Sequence, residues 1–357
     1  MNNKTPTKRY EELDALRGIA ALMVVFFHFT LGRPEAKLGF KLGTTGVDLF
    51  FIISGFVIFM SLTRVKTSLD FVINRVSRLY PTYWTCVTFT FILLSINSIY
   101  LYKGADQIDF IQYLGNMTMF QFYLKIPDLD GPYWTMIIEM IFYIGIWVLF
   151  HFKLLKYLNI IGVGASILVV IITLFWGDIL FIKRIINGIP LLQFIPLFFA
   201  GTLFYKIYTG KGRILQNYSI LIICLVCQVL LFNYSGRSYM FISQTEYALM
   251  LSIYFMVFTL FVNGRLTFIV SKTTLFFGKI SFALYLIHQY LSIGFIIPLL
   301  TNTFQLNYWI AALLIALPIL IGVSAFITYY IEVPLSKKMK EKLRKKLILR
   351  PAGVGAN

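Results

Sequence analysis

Ten stretches of about twenty mainly apolar residues follow one another along this chain, separated by short polar connections. The hydrocarbon core of a bilayer is about 30 Å thick, and an α-helix needs about 20 residues to cross it. With no water at that depth, only helices and closed barrels satisfy their own backbone groups. The candidate spans are 13–31, 46–63, 82–101, 134–152, 159–176, 189–207, 217–234, 245–263, 276–298 and 308–331, with the weakest pattern over 177–207. Of the 357 residues 59% are hydrophobic and 13% charged, and the mean hydropathy is +0.79. A soluble chain carries about 25% charge. The expected fold is all-α: a polytopic integral membrane protein of about ten transmembrane helices, with both termini cytoplasmic.

The 32 Lys and Arg residues test that count. With the amino terminus in the cytoplasm, 23 fall on the inner side, 8 fall outside, and Arg17 lies within the first span. Cytoplasmic loops favour positive charge, and one missed span would invert every later loop. The net charge of +17 is therefore read as topology and not as a nucleic-acid surface, because the cations lie between apolar spans. The expected organisation is a membrane domain over 1–334 and a basic cytoplasmic tail over 335–357. The tail carries eight Lys/Arg between Ser336 and Arg350 and suits anionic lipid. Lys4, Lys8 and Arg9 imitate a secretory signal, yet Arg17 interrupts the apolar stretch and no small-residue cleavage site follows. The segment reads as a retained helix. The longest outer loop, 102–133, is moderately acidic through Asp106, Asp109, Asp128 and Asp130.

Polar residues inside the spans are the candidate site. Arg17 and His28 are eleven residues apart, within about 20° of three full helical turns and roughly 16 Å along the axis. Asp14, Ala21 and Val24 share their face. An arginine at the centre of a span costs roughly 2.5–3.5 kcal/mol on insertion scales, so intramembrane charge reads as functional by default. Arg17 lies near the inner face and His28 in the outer half. Glu139 enters the fourth span at a depth close to that of His28 and is a possible partner for it. Ser281, Tyr285, His288 and Ser292 form a polar stripe on the ninth span. The inner loop 64–81 carries Arg64, Lys66, Arg75 and Arg78, and arginine forks suit phosphate. Plainer roles stay open for each: a snorkelling Arg17, interhelical hydrogen-bonding glue for the stripe, and anchoring for the arginine pair. The C-x-x-C of Cys224 and Cys227 lies in an apolar run and reads, like Cys86, as buried thiol. His151 reads as interfacial, and Glu332 before Pro334 as the end of the tenth span. No metal-binding spacing is present, so no metal is expected.

Taken together, these residues resemble the membrane-embedded acyltransferase-3 family. The resemblance rests on Arg17 to His28 (R-G-I-A-A-L-M-V-V-F-F-H), Gly46 to Phe56 (G-V-D-L-F-F-I-I-S-G-F), Arg75 to Pro81 (R-V-S-R-L-Y-P) and Trp134 to Tyr143. Phe198–Tyr205, Ser281–His288 and Glu332–Pro334 follow in the family's order. Thr135 stands where relatives often have Ser. The resemblance implies transfer of an acyl group, usually acetyl from acetyl-CoA, to a hydroxyl of an extracytoplasmic glycan such as O-antigen lipopolysaccharide or capsule. It implies essential roles for Arg17 and His28 and a CoA contact for Arg75 and Arg78. It also implies a multi-pass protein of the bacterial inner membrane. Some relatives carry an esterase-like domain after the membrane part, and the sequence shows none.

On that footing the expected catalytic residues are His28, Arg17 and Glu139. His28 is the general base, its unperturbed pKa of about 6.5 suiting the task, and Glu139 orients the ring. Arg17, Arg75, Arg78, Ser281, Tyr285 and His288 are expected along the donor's path. The expected partners are acyl-CoA, a glycan or lipid-linked sugar acceptor and the bilayer, with no nucleic acid and an open possibility of a homo-oligomer. A carrier or flippase for a glycan lipid is the alternative, since intramembrane Arg, His and Glu also suit proton coupling. Direct transfer and a covalent acyl-enzyme both remain open.

Overall fold

The structure, a computed structural model, describes residues 10–98 and 109–348, so Asp106 lies outside the described residues. Among these residues the regular structure is entirely helical. Nine helices are long and apolar enough to cross a bilayer, and Ile214–Leu230, at 17 residues, is a shorter tenth apolar helix. That helix still lies within the spanning range of about 17–25 residues. The crossing helices are α1 (Glu11–Thr30), α2 (Gly46–Leu62), α3 (Ser68–Ile96), α5 (Trp134–His151), α6 (Leu158–Trp176), α8 (Ile195–Tyr208), α9 (Ile214–Leu230), α10 (Gln244–Val262) and α11 (Lys272–His288). The last crossing is a rod from Ile310 that includes α12 (Leu317–Phe326) and α13 (Val333–Ile348). Two short helices, α4 (Phe110–Met117) and α7 (Leu180–Gly188), lie between crossings. Large apolar side chains such as Ile160, Phe175, Ile222, Leu249 and Leu314 are exposed around the bundle. In water such a surface would aggregate; in lipid it is the solvated face. The protein is a polytopic membrane protein. Tyr10 packs on Tyr208 at the end of the bundle where Thr63 meets Tyr205, and α13 reaches the same end, where Arg344 pairs with Asp70; this end is called the terminal face below.

Helices α1, α2, α8 and α11 form the most buried part of the bundle. Small residues let them approach closely, the usual basis of helix packing in lipid. A Cβ placed on Gly278 would lie 2.0 Å from the Asp14 carbonyl oxygen, and one on Gly18 would lie 2.7 Å from the Gly278 nitrogen. At the second crossing, a Cβ on Gly55 would lie 1.9 Å from the Phe198 carbonyl oxygen. Only glycine allows these backbones to touch.

Three boundaries differ from expectation. Helix α3 starts at Ser68, where the Thr67 side chain accepts from the Asp70 amide, and not at 82. Arg75 and Arg78 are therefore on a spanning helix and not in a loop. Pro81 lies inside α3 without ending it; spanning helices tolerate proline where neighbouring groups meet the freed backbone. The last rod does not stop at Pro334. Its turns over Ile327–Glu332 are π-helical and lead directly into α13; such widened turns accommodate the proline's missing donor. Position 334, the expected domain boundary, falls inside that helix. Finally, the weakly patterned stretch 177–207 separates into the short α7, with Lys183 and Arg184, and α8.

Candidate active site

Three chambers follow one another through the bundle. The first opens at the terminal face, with a volume of about 700 Å³. Six cations line it: Arg64, Arg75 and Arg78 from the α2–α3 region, and Lys337, Lys340 and Arg344 from α13. Glu332 is the one carboxylate on its wall. Arg75 is buried, and its Nε has no hydrogen-bond partner; the same holds for Asn74 Oδ1, Glu332 Oε2 and Ser336 Oγ on the same wall. An unpaired buried polar atom costs about 1–3 kcal/mol, and these atoms are available to a polar ligand. Glu332 belongs to this vestibule and does not terminate a helix.

Arg75 and Arg78 also line the second chamber, a narrow space of about 100 Å³. Arg17, Ser54, Glu139, Tyr143, Ser281 and Tyr285 complete its polar wall. Arg17 binds Asp14 at 3.4 Å. The Arg75 guanidinium lies 5.8 Å from the centre of the Tyr143 ring. The Glu139 carboxylate accepts from Ser54 Oγ at 2.5 Å and from the Tyr143 hydroxyl. Glu139 is therefore not the partner of His28. Its carboxylate is held by α2 and its own helix, among three arginines.

Val47 and Tyr285 connect this space to the third chamber, about 160 Å³, where His28, Asp48, His288 and Arg237 meet. Tyr285 is fixed by Thr135 at 3.1 Å. His288 Nδ1 lies 2.7 Å from the Tyr285 carbonyl oxygen, and His28 Nδ1 lies 2.9 Å from the Val24 carbonyl oxygen. A carbonyl only accepts, so in the neutral rings both Nδ1 atoms carry the proton. His288 Nε2 is then an acceptor, 3.2 Å from His28 Nδ1. The remaining nitrogen, His28 Nε2, is left with its lone pair free. That assignment leaves the pair with one lone pair not engaged among the described residues and sets His288 against the other nitrogen of His28. The π-helical turns over Gln289–Ile296 begin just after His288, and such widened turns recur at functional sites.

Of the residues singled out in the sequence, Arg17, Arg75, Arg78, Glu139, Ser281 and Tyr285 meet in the second chamber, and His28 and His288 in the third, which Tyr285 also lines. His288 sits against His28, not among the arginines. Several lining residues went unread. Asp48, whose carboxylate accepts from the Tyr247 hydroxyl at 2.9 Å, lines the third chamber; a carboxylate inside an apolar span was the available signal. Lys337 and Lys340 were grouped with the tail. Arg237 had no signal beyond being a lone cation in a far-side loop. His151 is exposed and bonded to Ser68 at 3.1 Å, and the three cysteines are free and buried, as the sequence implied.

The sequence profile of the acyltransferase domain matches residues 10–331. The chain belongs to the acyltransferase-3 family. A protein of Acidianus two-tailed virus that bears an acetyltransferase name is 22% identical over 298 residues, 81% of this chain and 85% of its own length. The O-acetyl transferase of Shigella phage Sf6 is 30% identical over 147 residues, 37% of this chain and 43% of its own. The exopolysaccharide production protein ExoZ of Rhizobium meliloti (strain 1021) is 44% identical over 46 residues, 13% of this chain and 14% of its own. The chain thus spans less than half of the second and third relatives. No solved structure gives a significant match. The protein is an acyltransferase embedded in a membrane, which removes the carrier reading.

Proposed function

We propose that this acyltransferase moves an acetyl group from cytoplasmic acetyl-CoA to a hydroxyl of an extracytoplasmic glycan, such as O-antigen or capsule, across the bacterial inner membrane. The observation that carries the reading is the continuous series of chambers. A cationic vestibule leads through a narrow neck to a basic nitrogen on the opposite side. The terminal face is cytoplasmic in this reading, supported by the distribution of 23 cations against 8.

The volumes suit the donor's parts. The vestibule accommodates a nucleotide, and its six cations and unpaired Arg75 Nε suit phosphates. Lys337, Lys340 and Arg344 belong to this dock, so the basic segment up to residue 348 is part of the donor site and not a free tail. The second chamber admits only a thin chain, which suits the pantetheine arm. Glu139 offsets part of the charge of Arg17, Arg75 and Arg78 along the way. The thioester then reaches His28.

There, His28 Nε2 takes the proton of the acceptor hydroxyl as its oxygen attacks the thioester carbonyl. The tetrahedral intermediate collapses, the carbon–sulfur bond breaks, and the imidazolium returns the proton to the departing CoA sulfur. His288 keeps Nδ1 of His28 engaged so that Nε2 faces the substrates; it is a positioning residue. The test is reconstitution of the full chain in proteoliposomes with acetyl-labelled acetyl-CoA outside the terminal face and glycan on the other side. Label appearing covalently on the glycan supports the reading. Consumption of acetyl-CoA with label released only as acetate would overturn it.

A further inference from the structure

The third chamber has a side arm. A fourth cavity of about 500 Å³ opens on the far side and shares Trp134, Phe194, Gly236 and Arg237 with the chamber that holds His28. Arg237 thus faces both spaces. It is presented by a tight turn in which Gly236 adopts φ +68°, a conformation that favours glycine. A Cβ there would also crowd the Phe194 ring at 3.1 Å. The turn is tied down next door, where Ser238 bonds Thr44 at 3.3 Å.

Charge in this arm is unbalanced. Lys125, itself at φ +57°, lies on the same wall. Among the described residues, neither the Arg237 nor the Lys125 side chain makes a hydrogen bond or ion pair; both are exposed. The wall's one carboxylate, Asp128, lies within the field of Arg237 but makes no ion pair with it and is engaged by Gln121 at 2.8 Å. Two unpaired cations at the non-cytoplasmic mouth also run against the charge distribution that topology favours. Trp134 and Phe122 add aromatic faces of the kind that cover a sugar ring.

We propose that the acceptor carries an anionic group, a carboxylate or a phosphate, and that Arg237 binds it while the acceptor hydroxyl reaches His28. A planar guanidinium pairs with either oxyanion bidentately. The proposal rests on the acyl-transfer reading and narrows its substrate class: acidic glycans, or sugars still attached to a lipid diphosphate.

The experiment uses the full chain in nanodiscs with three acceptor probes: methyl β-glucuronoside, methyl β-glucoside and glucosyl undecaprenyl diphosphate. Binding is read by titration, and transfer by CoA release and product mass. The wild-type chain is expected to bind at least one charged probe about tenfold more tightly than the neutral glucoside, the yield of roughly one charge-assisted pair. Arg237→Gln brings that ratio close to one, Arg237→Lys restores part of it, and Arg184→Gln on α7, outside every chamber, leaves it in place. Preference for glucuronoside identifies a carboxylate site, and preference for the diphosphate a lipid-carrier site. Equal binding of charged and neutral probes, or a preference that survives Arg237→Gln, would overturn the proposal. Charge-dependent binding without any acetyl transfer would instead leave the anion site standing and remove the transfer chemistry.

Discussion

At the residue scale, the proposed mechanism divides one task between two histidines. Of the two, only His28 has a ring nitrogen with no hydrogen-bond partner among the described residues, because the Val24 carbonyl and His288 hold the other. His28→Ala should leave the chain inserted and able to bind acetyl-CoA but reduce transfer at least 10²-fold, the range of a lost general base. His288→Ala should cost less and should also change the shape of the pH–rate profile, since the ring of His28 can then turn. Acetyl transfer measured from pH 5 to 9 in both variants checks this; equal losses with unchanged profiles would make His288 a packing residue only. Asp130 gives a second prediction outside the spans. Its carboxylate accepts from the Gly131 and Tyr290 amides at 2.7 and 3.3 Å, but burial dominates and pushes its pKa up to about 8. Between pH 4 and 8 the folded state keeps a proton that the unfolded chain has lost. Stability therefore falls as pH rises through that window. Thermal unfolding in detergent should show a falling midpoint from pH 5 to 8 in the wild type, and a flatter curve for Asp130→Asn. The sequence shows Asp130 only as one of several acids in a loop, since burial of a loop carboxylate has no periodicity to announce it.

At the element scale, what holds these residues together is the contact between α1 and α11. Spacing places Arg17 and His28 on one face, and also Ser281, Tyr285 and His288, but spacing within a helix does not say which helices meet. That is decided by Gly18 and Gly278, whose lack of a side chain lets the two backbones touch. It also explains the misread partner of Glu139. Depth along the helices suggests His28, whereas lateral position, which depends on which helices meet, carries no sequence signal. Gly278→Val should push α11 off α1, because its Cβ would lie 2.0 Å from the Asp14 carbonyl oxygen. Overpacking of this kind costs about 1–3 kcal/mol. The expected outcome is a lower unfolding midpoint together with lost transfer, while the vestibule, built by α3 and α13, still binds acetyl-CoA. Thermal unfolding and donor titration on the same preparation test it; loss of donor binding as well would mean that the α1–α11 contact supports the whole bundle.

At the scale of the molecule, the polytopic helical architecture and the order of the family's motifs were legible because each is a one-dimensional property of the chain. The chambers were not, because they are made by residues from helices distant in sequence. Val57, Arg75 and Arg78 join the vestibule to the neck, and Val47 and Tyr285 join the neck to the third chamber. Tyr285 is already fixed by Thr135, so Val47 is the position where the passage can be closed without disturbing a hydrogen bond. A series Val47→Ile, Val47→Phe and Val47→Trp should reduce acetyl transfer stepwise with side-chain volume, reaching at least 10²-fold at Trp, because the neck is only about 100 Å³. Affinity for CoA itself should stay within about twofold across the series, since in the proposed mechanism its phosphates sit in the vestibule, whose wall does not include Val47. Binding that persists while transfer disappears is the signature of a donor docked on one side and spent on the other. Transfer that is indifferent to the side chain at 47 would mean that the acyl group reaches the far chamber by another route.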